Sequence, residues 1–186
     1  TKVSPNTFRR RRQAVFATLE HAVALDILKK NPIGGAAFTL PKTESTIDVE
    51  DLPTVKEVRA LCQSLNDGTP RGRSAEVFAS IMWLAGLRPG ECLGLKVKSF
   101  RKNRRGEYEL ALTDNVVQVS KAFASSGIAQ TTKQLKSRAV RHVRRVPIPK
   151  ELADVLVTFV EDKDAEELLF PSTRHGGALT LSVFED

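Results

Sequence analysis

The sequence predicts a mixed α+β fold, mainly helical, with a small antiparallel sheet. Two observations carry this. Apolar residues recur at helical spacing in four separate stretches, most of them bounded by recognisable caps or breakers. After about Phe100 that period gives way to short runs with strand character, separated by turn residues. The length of 186 residues suits one domain or two small ones.

Residues 5–30 read as the first helix. Ser4 is a suitable N-cap and Pro5 suits the first helical position. Phe8, Val15, Leu19, Ala22 and Val23 outline one apolar face, and Asn31-Pro32 is the expected stop. Arg9, Arg10, Arg11 and Arg12 fall in its early turns, where the helix dipole disfavours cations, so a phosphate backbone or plain solvent must stabilise them. Residues 33–52 carry no sustained period and read as a connection containing a domain boundary.

A second helix starts at Thr54, where Thr54-Val55-Lys56-Glu57 has the form of a capping box. Its expected buried face is Val55, Val58, Leu61, Cys62 and Leu65, and Asn66-Asp67-Gly68 ends it. The third helix, about Ser74–Ala85, is apolar nearly all round and is expected to be buried. Gly86 stops it and Pro89 starts a short helix. Tyr108–Leu112, Val116–Val119 and Arg144–Ile148 read as strands, with turns at Arg104-Arg105-Gly106 and Thr113-Asp114-Asn115. Residues 150–160 return to helix, with Leu152, Val155, Leu156 and Phe159 on one face. Pro171–Ala178 reads as a loop with Gly176-Gly177 at its tip, and a new element is expected from Ser182.

Charge narrows the function. The net charge is +7 and the pI near 9.6, a balance that suits a polyanion such as nucleic acid. The charge is segregated. Lys121, Lys133, Lys136, Arg138, Arg141, Arg144, Arg145 and Lys150 fall in 121–150 without a single acid, whereas 151–170 holds seven acids against Lys163. Such segregation suggests a phosphate-facing surface and a separate solvent face. No apolar run reaches the roughly 18 residues of a membrane span. The two cysteines, Cys62 and Cys92, suit neither a disulfide framework nor a zinc module, so a cytoplasmic location is expected.

The stretch Leu84-Ala-Gly-Leu-Arg88-Pro-Gly-Glu91-Cys-Leu-Gly-Leu95 is the most informative. It sets a guanidinium at a tight turn between two apolar segments, and Glu91 three residues on can reach back to pair with it. A structural ion pair and an anion-gripping fork are both open on these residues alone.

This stretch resembles the first arginine box of the tyrosine recombinases, the phage integrase family. The Leu-Pro-Thr-x-x-Glu-Val start of the second helix is similar to the opening of that family's catalytic domain. Residues 4–32 resemble the end of its core-binding domain. Residues 134–149, which run from Gln-Leu-Lys136-Ser-Arg138 to Val-Pro-Ile-Pro, resemble its lysine-bearing hairpin, and Leu169-Phe170-Pro171 with the following Gly-rich turn also fits. The resemblance implies the C-terminal part of a helical core-binding domain over 1–33, a linker over 34–52, and the front half of an integrase-like catalytic domain over 53–186.

What the resemblance implies chemically is DNA cleavage by a tyrosine that forms a phosphotyrosyl link, with no metal and no cofactor. Arg88 would grip the phosphate, Glu91 would orient it, and Lys136 would protonate the leaving 5′-oxygen, with Lys133 as the competing assignment. Arg9–Arg12, Arg138 and Arg141 would contact double-stranded DNA, on which the protein would self-associate. The family's second box, His-x-x-Arg, and its tyrosine are expected after Asp186, so the chain reads as a fragment that cannot cleave by itself. His142-Val-Arg-Arg145 matches the second box in letters only, because it runs into a strand whose residues i and i+3 face opposite sides. Tyr108 lies in a turn-and-strand region and is not expected to be the nucleophile; His21 and His175 read as satisfied or solvated. The competing function is a non-catalytic basic DNA-binding protein derived from the same fold.

Overall fold

The computed structural model describes residues 3–35, 48–118, 130–134, 143–172 and 177–179. The chain divides into two compact units, Thr1–Leu52 and Pro53–Asp186.

The first unit is built on helix α1, Pro5–Ala24. The Ser4 side chain caps it, accepting from the Thr7 amide at 3.2 Å. The helix ends at Ala24, six residues short of the expected end at residue 30. Asp26 adopts φ 58°, and the Ile27 and Asp26 amides return to the Ala22 and Val23 carbonyls at 2.9 and 3.0 Å. This is a Schellman motif with aspartate in the left-handed position, which Asp tolerates better than most residues. Asn31 has a different task from helix stop: its Nδ2 donates to Glu20 Oε1 at 2.6 Å and to the Phe16 carbonyl at 3.4 Å. Val15 is 54% exposed and does not belong to the apolar face.

The second unit is predominantly helical, with a small antiparallel sheet. Helix α2, Val55–Ser64, carries the full capping box: Thr54 Oγ1 accepts from the Glu57 amide, and Glu57 Oε2 accepts from the Thr54 amide at 2.7 Å. Its expected buried face is corrected. Only Cys62 is buried, while Val55 and Leu61 are 56% and 60% exposed. Val58, Leu61, Cys62 and Leu65 line one wall of an open groove of about 730 Å³, whose other wall is α3.

Helix α3, Pro70–Ala85, starts four residues earlier than expected, because Thr69 caps it and Pro70 opens it. Val77, Phe78 and Ile81 are buried, whereas Met82, Trp83 and Leu84 are only half-buried. Gly86, at φ 61°, ends the helix in the left-handed conformation that suits glycine. Helix α4, Pro89–Leu93, follows.

Five strands come next among the described residues: β1 Phe100–Lys102, β2 Tyr108–Leu112, β3 Asp114–Gln118, β4 Gln130–Gln134 and β5 Arg144–Pro147. The order β1-β2-β5 forms one antiparallel sheet, and β3-β4 forms a second. The expected turn at Thr113-Asp114-Asn115 is corrected: the chain passes through Thr113 from one sheet into the other, and Asp114 and Asn115 are already paired with β4. The Gly106 turn joins β1 to β2 as expected, with φ 81°. Helix α5, Lys150–Val160, buries Leu152 and Leu156 against the core. Leu169 and Phe170 return beneath the unit. The Leu169 amide donates to the Leu95 carbonyl at 2.7 Å, and the Phe170 ring meets Phe78 edge-on at 5.3 Å. The Ser172 amide donates to the Gly177 carbonyl at 2.8 Å; residues 173–176 of the expected loop, with His175 and Gly176, lie outside the described residues. The residues from Ser182 onward lie outside the described residues.

Candidate nucleic-acid site

Arg88 is the N-cap residue of α4 and Glu91 is its third residue. The Arg88 amide donates to Glu91 Oε2 at 3.0 Å, which satisfies one of the free N–H groups at the start of the helix. The Arg88 guanidinium touches the same carboxylate only lightly, Nη1 to Oε1 at 3.4 Å, and its side chain is 80% exposed. The reach-back of Glu91 therefore occurs as the spacing suggests, but the guanidinium itself is not buried.

The principal partner of Glu91 is Arg144. Its Nη1 lies 3.2 Å from both carboxylate oxygens. The register explains why. On β5, Val146 faces Leu110 and Arg144 faces Leu112, so both point to the core side of the sheet. Arg144 occupies the end of that face and meets Glu91, whose side chain is 6% exposed. A buried carboxylate is costly without partners, and here four contacts from three donors, the Arg88 amide, Arg88 Nη1 and Arg144 Nη1, offset the loss of water. Sequence reasoning missed Arg144. The signal was available in the alternation of Arg144-Arg145-Val146-Pro147, which turns one arginine inward with Val146 and the other outward.

The outward arginine belongs to a second cluster. Glu109, 6% exposed, accepts from Arg101 Nε at 3.0 Å and lies 3.9 Å from Arg145 Nε. Each cluster sets two guanidinium groups against one carboxylate, so each retains one positive charge.

Helix α4 is seated directly on β3. A Cβ at Gly90 would collide with the Asn115 side chain and the Val116 carbonyl, and one at Gly94 would lie 3.0 Å from the Asp114 carbonyl oxygen. Asn115 is in turn the cross-strand partner of Lys133 in β4. The backbone of Lys133 is thus tied through a single strand pair to the residue that packs on Gly90, two positions from Arg88. Lys136, Arg138, Arg141 and His142 lie outside the described residues.

The remaining sequence-predicted residues are placed as follows. Arg9, Arg10 and Arg11 are exposed on α1, while Arg12 is half-buried with its guanidinium 5.9 Å above the Phe16 ring. Four consecutive helical residues fan around the axis and cannot share one face. Tyr108 is stacked on Phe100 at 4.9 Å, with Lys102 Nζ 5.0 Å over its ring. Cys62 and Cys92 are both free and buried, and burial pushes the Cys92 thiol well up from its ordinary range. Among the described residues, no three His, Cys, Asp or Glu side chains gather in a way that could hold a metal. No described helix is long and apolar enough to cross a membrane.

No family model and no curated protein sequence matches the chain. Solved structures do. The chain is similar to the Tn1549 transposon integrase in complex with a circular intermediate DNA, with 16% identity and a TM-score of 0.67. It is also similar to that integrase in complex with transposon right end DNA, with 17% identity and a TM-score of 0.66. Each match covers 98% of this chain and 56% of the other, so the chain spans about half the length of the structures it resembles. The chain therefore has the integrase fold: mainly helical, with a small antiparallel sheet. The resemblance read from the arginine box is matched at the level of fold.

Proposed function

We propose that this chain is part of a site-specific DNA recombinase that cuts and rejoins DNA through a covalent phosphotyrosyl intermediate. The observation that carries the reading is the Arg88 guanidinium, exposed and only lightly engaged, at a cluster that keeps one uncompensated positive charge. A planar donor fork beside such a charge suits a phosphodiester oxygen. DNA in the complexes of the structural neighbours supports the same partner.

In this reading Arg88 holds the non-bridging oxygens of the scissile phosphate, and donors already in place there lower the barrier as charge develops. Glu91 fixes the backbone of Arg88 through the amide bond at 3.0 Å. A lysine protonates the leaving 5′-oxygen. Lys136 is the assignment from the family resemblance. The β3–β4 register ties the backbone of Lys133, the competing assignment, to the strand on which α4 rests. The nucleophilic tyrosine and the second arginine box would be supplied by the longer recombinase of which this chain is a part, and that protein would self-associate on DNA.

The test uses that longer protein and nicked half-site DNA on a denaturing gel. A covalent protein–DNA band that disappears in Arg88→Ala supports the reading. DNA binding without any such band, from a protein whose extension carries a tyrosine, overturns it in favour of a basic DNA-binding module.

A further inference from the structure

We propose that Arg144 is a positioning residue for Arg88: by holding Glu91 from the sheet side, it keeps the Arg88 guanidinium open to an external phosphodiester. The second half of this statement rests on the phosphate-binding reading of Arg88; the first half stands on geometry alone.

Glu91 sits between two guanidinium groups brought from opposite directions. One comes from its own helix start, the other from a strand 53 positions away. The two are unequal. Arg144 Nη1 reaches both carboxylate oxygens at 3.2 Å, and its side chain is 31% exposed. Arg88 Nη1 reaches one oxygen at 3.4 Å, and its side chain is 80% exposed. Arg144 thus neutralises the buried carboxylate, and among the described residues the Arg88 guanidinium is left with a single long contact. Among the described residues, a carboxylate deprived of Arg144 would have one cation within reach, and a guanidinium and a carboxylate prefer the two-bond geometry. The Arg88 fork would then close onto Glu91 and lose the donors it presents outward. Arg88 and Glu91 alone would be a neutral pair; the third member keeps the cluster cationic.

The experiment follows the Arg88 guanidinium directly, by nitrogen-15 NMR of the arginine side chains in the 186-residue chain. Rotation about the Nε–Cζ bond is slow in a locked guanidinium and fast in a free one. In the parent sequence Arg144 should be slow and Arg88 fast. In Arg144→Gln, Arg88 should become slow. A folded Arg144→Gln in which Arg88 stays fast overturns the proposal.

The second reading is a titration with dimethyl phosphate, a simple phosphodiester, followed at the Arg88 Nε–H signal. Arg144→Gln should weaken binding about tenfold, and Arg144→Lys should restore most of it. If dimethyl phosphate does not move the Arg88 signal in the parent chain while the rotation result holds, the phosphate reading fails and the positioning role stands. Should Arg144→Gln not fold, the comparison moves to a Glu91→Gln background. With no carboxylate to neutralise, adding Arg144→Gln should leave Arg88 rotation and phosphate affinity within about twofold. A larger loss there would mean that Arg144 acts on the phosphate itself or on the fold, and overturns the proposal.

Discussion

Gly90 of α4 lies against Asn115 of β3 with no room for a side chain between them. This contact seats the helix that carries Arg88 and Glu91 on the strand whose partner carries Lys133. Gly90→Ala should therefore destabilise the unit by about 1–3 kcal/mol, the usual cost of forcing an extra methyl into a packed site. Gly94→Ala should cost less, because the nearest atom to a Cβ there is 3.0 Å away. Thermal melts of the two variants against an exposed control such as Gly35→Ala, which has open space around it, would check the order.

The α2 cap gives a pH-dependent prediction. The Thr54 amide and hydroxyl hold the Glu57 carboxyl below its ordinary range, the amide being the larger cause. A carboxylate with a lowered folded-state pKa adds stability above its ordinary value and loses it as the pH falls through the lowered one. Thr54→Ala should cost about 1 kcal/mol at neutral pH. The difference between the melting temperatures of Glu57→Gln and the parent should narrow on acidification, and an unchanged difference at low pH would show that the cap does not act through the charged carboxylate.

How far the sequence could be read depends on how local each cause is. Ser4-Pro5, Thr54 with Glu57, and the Gly86 stop with Pro89 were legible because each works through bonds within a few residues. Strand β2 was legible from its apolar run. Strand β4, Gln130–Gln134, carries no apolar period, and only its pairing with β3 makes it a strand. The Asp26 turn was missed because aspartate stands where glycine is expected. The α2 face was misjudged for another reason: periodicity shows that Leu61 and Val58 share a face, but not whether anything covers it. At the site, Arg88 and Glu91 lie three residues apart and were found together. Arg144 joins them only through strand register, which single-sequence periodicity does not supply.

The 186-residue chain should form no covalent adduct with DNA. Tyr108 is its only tyrosine, and its ring is stacked on Phe100 with Lys102 Nζ 5.0 Å from its centroid. Covalent cleavage needs an activated nucleophile within reach of the phosphate. Incubation with nicked half-site DNA should give no band resistant to denaturation, and Tyr108→Phe should change nothing. A covalent band lost in Tyr108→Phe would sink the proposed division of labour.

DNA binding by the protein should depend steeply on salt and should use Arg10, Arg138 and Arg141. Removing one phosphate-contacting cation lowers the log–log salt slope by about 0.9. On α1 the effect should be uneven: Arg10 and Arg11 are exposed, whereas Arg12 is half-buried with its guanidinium over Phe16. Arg12→Ala should thus lower the melting temperature of the first unit and should reduce the slope less than Arg10→Ala does. Gel shifts at several salt concentrations would check this, and unchanged slopes in Arg10→Ala, Arg138→Ala and Arg141→Ala would place the DNA surface elsewhere.

Arg88 and the general-acid lysine should be separable in the longer protein by substrate chemistry. Arg88 acts on charge that develops in the transition state, so Arg88→Ala should slow cleavage by roughly two to three orders of magnitude. Its side chain is exposed and lightly bonded, so the melting temperature should hardly change and DNA binding should weaken far less than cleavage. A purely structural Arg88–Glu91 pair predicts the reverse, a lower melting temperature with binding and cleavage damaged together. The lysine acts on the leaving oxygen, which departs poorly as an alkoxide. A substrate with sulfur at the bridging 5′ position leaves as a thiolate and needs no proton, so it should rescue the lysine variant and not Arg88→Ala. Rescue of Lys136→Ala would place the acid at Lys136, and rescue of Lys133→Ala instead would place it on β4, beside the strand that supports α4. Rescue of neither would remove leaving-group protonation by these lysines from the mechanism.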